Sequence, residues 1–488
     1  MHHVRFSRVA QHLAGVGLAF LFGCGSAGNE GASDASSDDV GVESGSSSDT
    51  LVDSTSSSDV GVESGSSSDI GVSTDTASPG DAPPHDVGPP VAACVDVPSG
   101  KWQEITPPAL HRDWWCIPDF KPSGGCGNPG DSRPGHIATY GAHYVAVAPS
   151  DPGIVYLGTS SLGFWKSNDC GATWVLADGG GSDVDAGRNW TIAVDPRDAK
   201  TIYTTAGYGK GGVFKSTDGG AKWTQMLTAD VAAVASFVEK ITLDPTDAAH
   251  VLVSFHDACL QSTTKATMFP PGTPLHGNLP VGAPTSTTSS GAAGWGCLAE
   301  SFDAGKTWTL AANALAWEGL DGPGQAMVDG KTWFYATNSP TGVFFTRTGG
   351  ASPDGVASGW TKVISGKVPG SVYVAPDGTF YTSGDGVILH STHGTDWTPI
   401  SDASLSLGLG SFNGSTPLVQ GGSRLYVALY SYAPPARYYV SDVGTHAFAP
   451  LAVDATGIPQ GGAQLQYDVR YGVLYSSNQG GGLWRLKP

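Results

Sequence analysis

Ser167-Asn168-Asp169-Cys170-Gly171-Ala172-Thr173-Trp174 recurs as Ser216-Thr217-Asp218-Gly219-Gly220-Ala221-Lys222-Trp223 and as Ser301-Phe302-Asp303-Ala304-Gly305-Lys306-Thr307-Trp308. Three copies of Ser-x-Asp-x-Gly-x-x-Trp in one chain mark an internal repeat, which sets the architecture before any single residue does. Each copy lies between two short β-like runs, the first between Gly163-Phe164-Trp165-Lys166 and Trp174-Val175-Leu176. Ser and Asp side chains can bond the backbone N–H groups of their own turn. Gly supplies a left-handed backbone position without a steric cost, and Trp opens the next strand with a large apolar surface. The phrase therefore predicts a stapled β-hairpin turn.

The motif resembles the Asp box of sialidases, xyloglucan-degrading endoglucanases and sortilin-type receptors. That resemblance implies a β-propeller in which Asp169, Asp218 and Asp303 are structural, on the face away from the ligand. Counting the outer strands gives seven segments, Trp102–Ile105, Trp174–Leu176, Trp223–Met226, Trp308–Leu310, Trp360–Val363, Trp397–Ile400 and Phe448–Leu451. A second phrase, Pro149-Ser150-Asp151, Pro196-Arg197-Asp198, Pro245-Thr246-Asp247 and Pro376-Asp377, ends alternating runs such as Tyr144–Val147 and reads as strand followed by tight turn. Four short strands per unit is the content of a propeller blade. Trp102 precedes any complete blade, and the last strands, Leu465–Tyr467 to Leu483–Leu486, lack a partner. Residues 101–106 are thus expected to supply the outer strand of the last blade and remove its open edge. The expectation is an all-β chain, a single seven-bladed propeller closed by an N-terminal strand.

The N-terminus carries His2, His3, Arg5 and Arg8, then an apolar stretch ending Leu21-Phe22-Gly23-Cys24. The stretch is too short for a membrane span. It resembles the lipobox of bacterial lipoproteins, which implies cleavage before Cys24, lipid on its sulfur and, with Gly25 following, outer-membrane sorting; an ordinary secretory signal with a chance Cys is the alternative. Residues 25–93 are rich in Ser, Asp, Gly, Val and Pro without Lys or Arg, and Asp39–Asp49 recurs as Asp59–Asp69. Such a segment cannot bury a core and predicts a disordered tether. The expected division is 1–23 leader, 24–93 tether and 94–488 propeller. The chain's net charge is −19, but 13 of the acidic residues fall in 25–90 and two basic ones in the leader, leaving −8 for the rest. That mild balance speaks against a nucleic-acid partner. No metal or cofactor is expected: the Asp-rich repeats lack a calcium-loop spacing, and no Cys-x-x-Cys pair suggests zinc. The chain is expected to act as a monomer.

Six cysteines follow Cys24, an even count that suggests disulfides in an exported protein. Cys116 and Cys126 share one loop, Cys259 and Cys297 bracket a long insertion, and Cys94 and Cys170 both belong near the junction of the last and first blades. The expected pairs are 94–170, 116–126 and 259–297.

Function should concentrate in unrepeated loops on the face opposite the recurrent turns. One is 107–141, with His111-Arg112-Asp113-Trp114-Trp115 and Asp131-Ser132-Arg133-Pro134-Gly135-His136; the other is 261–294, introduced by His256-Asp257. Smaller connections add Asp183, Asp185, Arg188, Asn189 and Trp190, then Trp317, Glu318 and Asp321, then Tyr430 and Tyr432. Aromatic rings, Arg and carboxylates at a concave mouth suit a glycan, and two carboxylates could serve as acid and base. The candidate ligand contacts are Arg112, Trp114, Trp115, Arg133, Arg188, Trp190, Trp317, Tyr430 and Tyr432; the candidate catalytic acids are Asp183, Asp257 and Glu318. The plain alternative is that Trp114 and Trp115 pack their loop and that these Asp residues form turns.

The run Ile154–Phe164 resembles the first blade of xyloglucan-degrading endoglucanases, where a catalytic Asp stands in the loop after the Tyr-x-x-Thr strand; here that position is Ser160. Those enzymes use two propellers, and this chain has one. No Arg-Ile-Pro phrase precedes the first box, and sialidases close six blades. Three readings follow. One is a lipid-anchored binding protein for a glycan or protein, without catalysis. The second is a glycoside hydrolase or polysaccharide lyase using loop carboxylates. The third is an assembly factor similar to the Asp-box propellers that help build photosynthetic complexes.

Overall fold

The computed structural model describes residues 91–108, 110, 141–160, 162–178, 180, 182–185, 187–207, 211–227, 238–260, 275–276, 279–280, 295–313, 324–337, 342–349, 360–365, 371–384, 387–401, 405, 417–429 and 435–488. Seven antiparallel four-stranded sheets carry the fold, and almost no helix accompanies them. The first blade runs Ala142–Val147, Val155–Thr159, Phe164–Ser167 and Val175–Leu176; the second Ile192–Asp195, Asp198–Thr205, Val213–Ser216 and Thr224–Leu227. The third holds Val238–Leu243, Val251–Leu260, Trp295–Ser301 and Thr309–Asn313, and the fourth Gly324–Met327, Trp333–Thr337, Gly342–Thr346 and Trp360–Ile364. The fifth is Tyr373–Val374, Phe380–Gly384, Val387–Ser391 and Thr398–Pro399; the sixth Leu418–Gly421, Arg424–Leu429, Arg437–Asp442 and Ala449–Pro450. The seventh combines Gln464–Asp468, Val473–Ser477 and Leu483–Leu486 with the N-terminal strand Gln103–Glu104.

The outer strand of the seventh blade is therefore borrowed from the N-terminal end, with Gln103 opposite Arg485 and Glu104 opposite Trp484. Only two residues pair, but the bonds Gly100 N–H to Lys487 O and Ile105 N–H to Leu483 O extend the seam. Trp102 is buried against Tyr438, at 4.5 Å between rings. A disulfide joins Cys94, just before this strand, to Cys170 in the first recurrent turn. Inside the ring, Gln464 of the seventh blade stands in for a strand: its amide accepts from Val145 N–H at 2.8 Å and donates to Val145 O at 3.0 Å. Ser477 donates to the Ala142 and His143 carbonyls, and Asp468 accepts from Gly153 N–H. The joint where the circle closes thus adds a buried polar seam to an apolar layer that includes Val145, Val155 and Leu157 of the first blade and Val473 and Leu483 of the seventh. Gln464, Ser477 and Asp468 each find partners there, which matters because an unpaired buried polar group costs about 1–3 kcal/mol.

The recurrent turns are built as the motif predicts. The Ser hydroxyl accepts from the Gly N–H at 2.7–2.8 Å and donates to the Asp carboxylate at 2.7–2.8 Å in all three copies. That carboxylate also accepts from the N–H of Thr173, Lys222 or Thr307 at 2.8–2.9 Å. The residue before the Gly is left-handed as well, at Cys170 (φ 57°), Gly219 (φ 76°) and Ala304 (φ 62°). Two consecutive left-handed residues swing the first one's carbonyl outward, toward the neighbouring blade.

That carbonyl is where the preceding blade grips. Arg485 of the seventh blade donates to Cys170 O at 2.6 Å. Lys215 and the Tyr203 hydroxyl of the second blade both reach Ala304 O, at 3.4 and 3.2 Å. Arg347 of the fourth blade donates to His393 O at 2.8 Å, at the equivalent place in the fifth. A cation near the end of one blade's third strand thus latches the turn of the next. Between the blades lie apolar layers, such as Tyr156, Phe164, Ile192, Ile202 and Phe214 between the first two.

Candidate functional site

The connections that sequence reading singles out are rooted where the blade topology puts them. Segment 107–141 leads from the closing strand into the first inner strand, and 261–294 joins the second and third strands of the third blade. Both kinds of connection lie opposite the recurrent turns, which join third to fourth strands. Arg112, Trp114, Trp115, Cys116, Cys126, Arg133, Trp317, Glu318, Tyr430 and Tyr432 lie outside the described residues, as does Cys24. Asp257 and Cys259 stand in the strand Val251–Leu260, and Cys297 in Trp295–Ser301, with Phe255 opposite Cys297.

Arg188 and Trp190 are brought together at the start of the second blade. The Arg188 guanidinium sits 5.1 Å from the Trp190 ring, and His143 of the first inner strand meets the same indole edge-on at 5.1 Å. Arg188 is 6 % and Trp190 3 % exposed. They form the wall behind the mouth rather than an open platform for a sugar ring. Burial, with the Arg188 charge adding to it, pushes His143 down to about 3, so its imidazole is neutral throughout the physiological range. The backbone here is stitched to both neighbours: Arg188 exchanges two hydrogen bonds with Gly207, and Asn189 bonds Thr159 through both main chain and side chain. Ser160 pairs with Arg188 in this seam and is fully buried. The position at which the endoglucanase resemblance implies a catalytic acid is therefore a packed strand end.

Asp183 lies elsewhere. With Asp178, Gly180 and Ser182 it lines a cleft of about 570 Å³ against Phe214, Lys222 and Trp223, between the loop leaving the first blade and the recurrent turn of the second. Its neighbour Asp185 accepts from Phe164 N–H at 2.9 Å and so ties that loop to the first blade.

The central channel holds a feature that motif counting does not find. A cavity of about 340 Å³ runs along the inner strands of the second to fifth blades, walled by Val194, Ile241, Leu243, Met327, Val372 and Tyr373. Lys240 reaches into this wall, and its ammonium donates to the Tyr144 hydroxyl of the first blade at 2.8 Å, lying 4.9 Å from that ring. The sequence signal is a Lys in the inner strand Val238–Leu243, which alternation alone does not distinguish from a solvated charge. Among the described residues, no cluster of three or more His, Cys, Asp or Glu side chains is arranged to hold a metal.

No family model matches the chain, and no curated protein matches it. Among solved structures it is similar to a GH74 enzyme of Niastella koreensis (15 % identity, 72 % of this chain and 53 % of that one, TM-score 0.47). It is similar to the GH74 xyloglucanase of Xanthomonas campestris (16 % identity, 72 % and 52 %, TM-score 0.47). A third likeness is to YCF48 bound to a D1 peptide (11 % identity, 80 % and 99 %, TM-score 0.48). The chain spans about half the length of the two GH74 proteins.

Proposed function

We propose that this chain is an exported, lipid-anchored propeller that holds a glycan or a protein partner at the face opposite its recurrent turns, without turning it over. In this reading residues 1–23 are a leader, Cys24 carries the lipid, and 24–93 form the tether to the propeller. The supporting observation is where the two longest connections are rooted. Both 107–141 and 261–294 rise from a rigid seven-bladed scaffold on the face where the other unrepeated loops also emerge. Long loops on a stiff frame are where binding residues concentrate.

The reading puts binding before hydrolysis on the two acid positions that are described. Glycoside hydrolysis needs two carboxyl groups roughly 5–5.5 or 6.5–9.5 Å apart across the scissile bond. Asp183 stands in the cleft between the first two blades, and the acid expected from the endoglucanase resemblance is the buried Ser160. The test is a polysaccharide panel offered to the propeller without residues 1–90, with binding and reducing-end release measured together. Binding without release is the expected result. Release abolished by Asp183→Asn, Asp257→Asn or Glu318→Gln would replace this reading with the hydrolase.

A further inference from the structure

The latch between blades is a cation reaching a turn carbonyl at three of the joints described above, but at the joint between the fifth and sixth blades the chemistry changes. The cation's place is taken by His390, directly before Ser391, and the turn it faces carries His446. The two rings stand 4.8 Å apart at 50°, too tilted for a stack. Tyr381, the cross-strand partner of His390, flanks both rings at 6.3–6.4 Å. Both histidines are partly exposed, at the rim of the turn-bearing face. His446 is held in the left-handed region (φ 53°), and its ring lies against the preceding blade.

We propose that His390 and His446 form a two-histidine site for a divalent transition-metal ion that ties the fifth blade to the sixth. An imidazole nitrogen binds such an ion at about 2.0–2.1 Å, so two imidazoles on one tetrahedral ion have ring centroids about 5 Å apart. The observed spacing already matches, before any side chain moves. Imidazole pairs suit Zn²⁺, Ni²⁺ and Cu²⁺ rather than Mg²⁺ or Ca²⁺, which demand oxygen ligands. The remaining coordination positions are open to water. At the three latched joints a direct hydrogen bond does the fastening; here two rings face each other, and a shared ion would do the same.

The experiment uses the untagged full chain, with Zn²⁺, Ni²⁺ and Mg²⁺ as probes and calorimetric melting as the readout. Zn²⁺ and Ni²⁺ should each raise the midpoint, by about 3 °C at a hundredfold excess over Kd, and Mg²⁺ should not. His390→Gln and His446→Asn should each weaken binding at least tenfold while leaving the metal-free midpoint unchanged; Asn tolerates the left-handed position. Cu²⁺ bound to the wild type should show two coupled nitrogens by electron paramagnetic resonance, and one in either variant. A shift that persists in both variants, or no shift with either Zn²⁺ or Ni²⁺, would overturn the site.

Discussion

The Cys94–Cys170 disulfide closes a loop of 76 residues across the joint where the ring is completed. Replacing both cysteines with Ala removes it without leaving a thiol. In the chain-entropy treatment a loop of that length restricts the unfolded chain by about 15 cal/mol/K, or about 4.5 kcal/mol at 25 °C. Spread over roughly 400 folded residues at about 2.1 cal/mol/K each, that is a fall of about 5 °C in the calorimetric midpoint. The location makes the local effect larger than the global one. The disulfide pins the short closing strand, whose own pairing is two residues long. Once it is gone, the segment Ala92–Glu104 is held by Trp102, the seam to Lys487 and Leu483, and the Val91 N–H bond to the Tyr471 hydroxyl. Limited trypsinolysis should therefore open a new cut at Lys101 in the variant, well below its melting point, and should spare the wild type there. Reducing the wild type should reproduce both effects. A midpoint drop under 1 °C, or no new cut within residues 91–106 of the variant, would refute the view that the ring is fastened here.

The remaining predictions concern single residues. Arg485→Met should cost about 2 kcal/mol, because Cys170 O loses a buried charged donor, and Lys215→Met should cost clearly less, since Lys215 is half-exposed; paired denaturation curves test the ranking. His250 is buried between Asp244 (3.2 Å) and Glu300 (3.4 Å); burial alone would lower its pKa, but these carboxylates raise it above the ordinary value. Its charge therefore stabilises the fold fully below the unfolded value near 6.5 and is lost as pH rises through the folded one, so the wild type's advantage over His250→Gln should shrink with rising pH in a melting series. Cys24→Ala should move the exported protein from the membrane fraction to the soluble one, and an unchanged distribution would remove the lipid anchor from the proposal.

How much of this was legible depends on whether a residue's role is local. The turns were, because Ser167, Asp169 and Gly171 bond within five residues, and such chemistry leaves a repeated phrase. Six outer strands start just after their marker aromatic and the seventh starts at Trp360 itself, and the closing strand at Trp102 follows from counting partners. The pairing of Cys94 with Cys170 came from placing both on the turn-bearing side of one joint. The latches were invisible because each joins residues on different blades, such as Lys215 with Ala304, and a lone Lys ending a strand looks like any solvated charge. The same holds for Lys240 with Tyr144, and for His390 with His446. The burial of Arg188 and Trp190 leaves no mark in the sequence, because it comes from Asn189 sewing their connection into two blades.

The geometry of the recurrent turn also decides what its aspartates cannot do. Asp303 accepts from the Ser301 hydroxyl, the Thr307 N–H and the Thr307 hydroxyl at 2.7–2.8 Å. Although what burial it has would raise it, these bonds hold its carboxyl down at about 2. An acid that is ionised at every working pH, with both oxygens engaged by its own turn, has no proton to give and little basicity with which to take one. The same three-way capture recurs at Asp169 with Thr173. Neither residue can become catalytic without dismantling the hairpin that defines its blade. Any chemistry or recognition in this propeller must come from side chains that the repeat does not constrain, and those are carried by the connections on the opposite face and by the joints between blades.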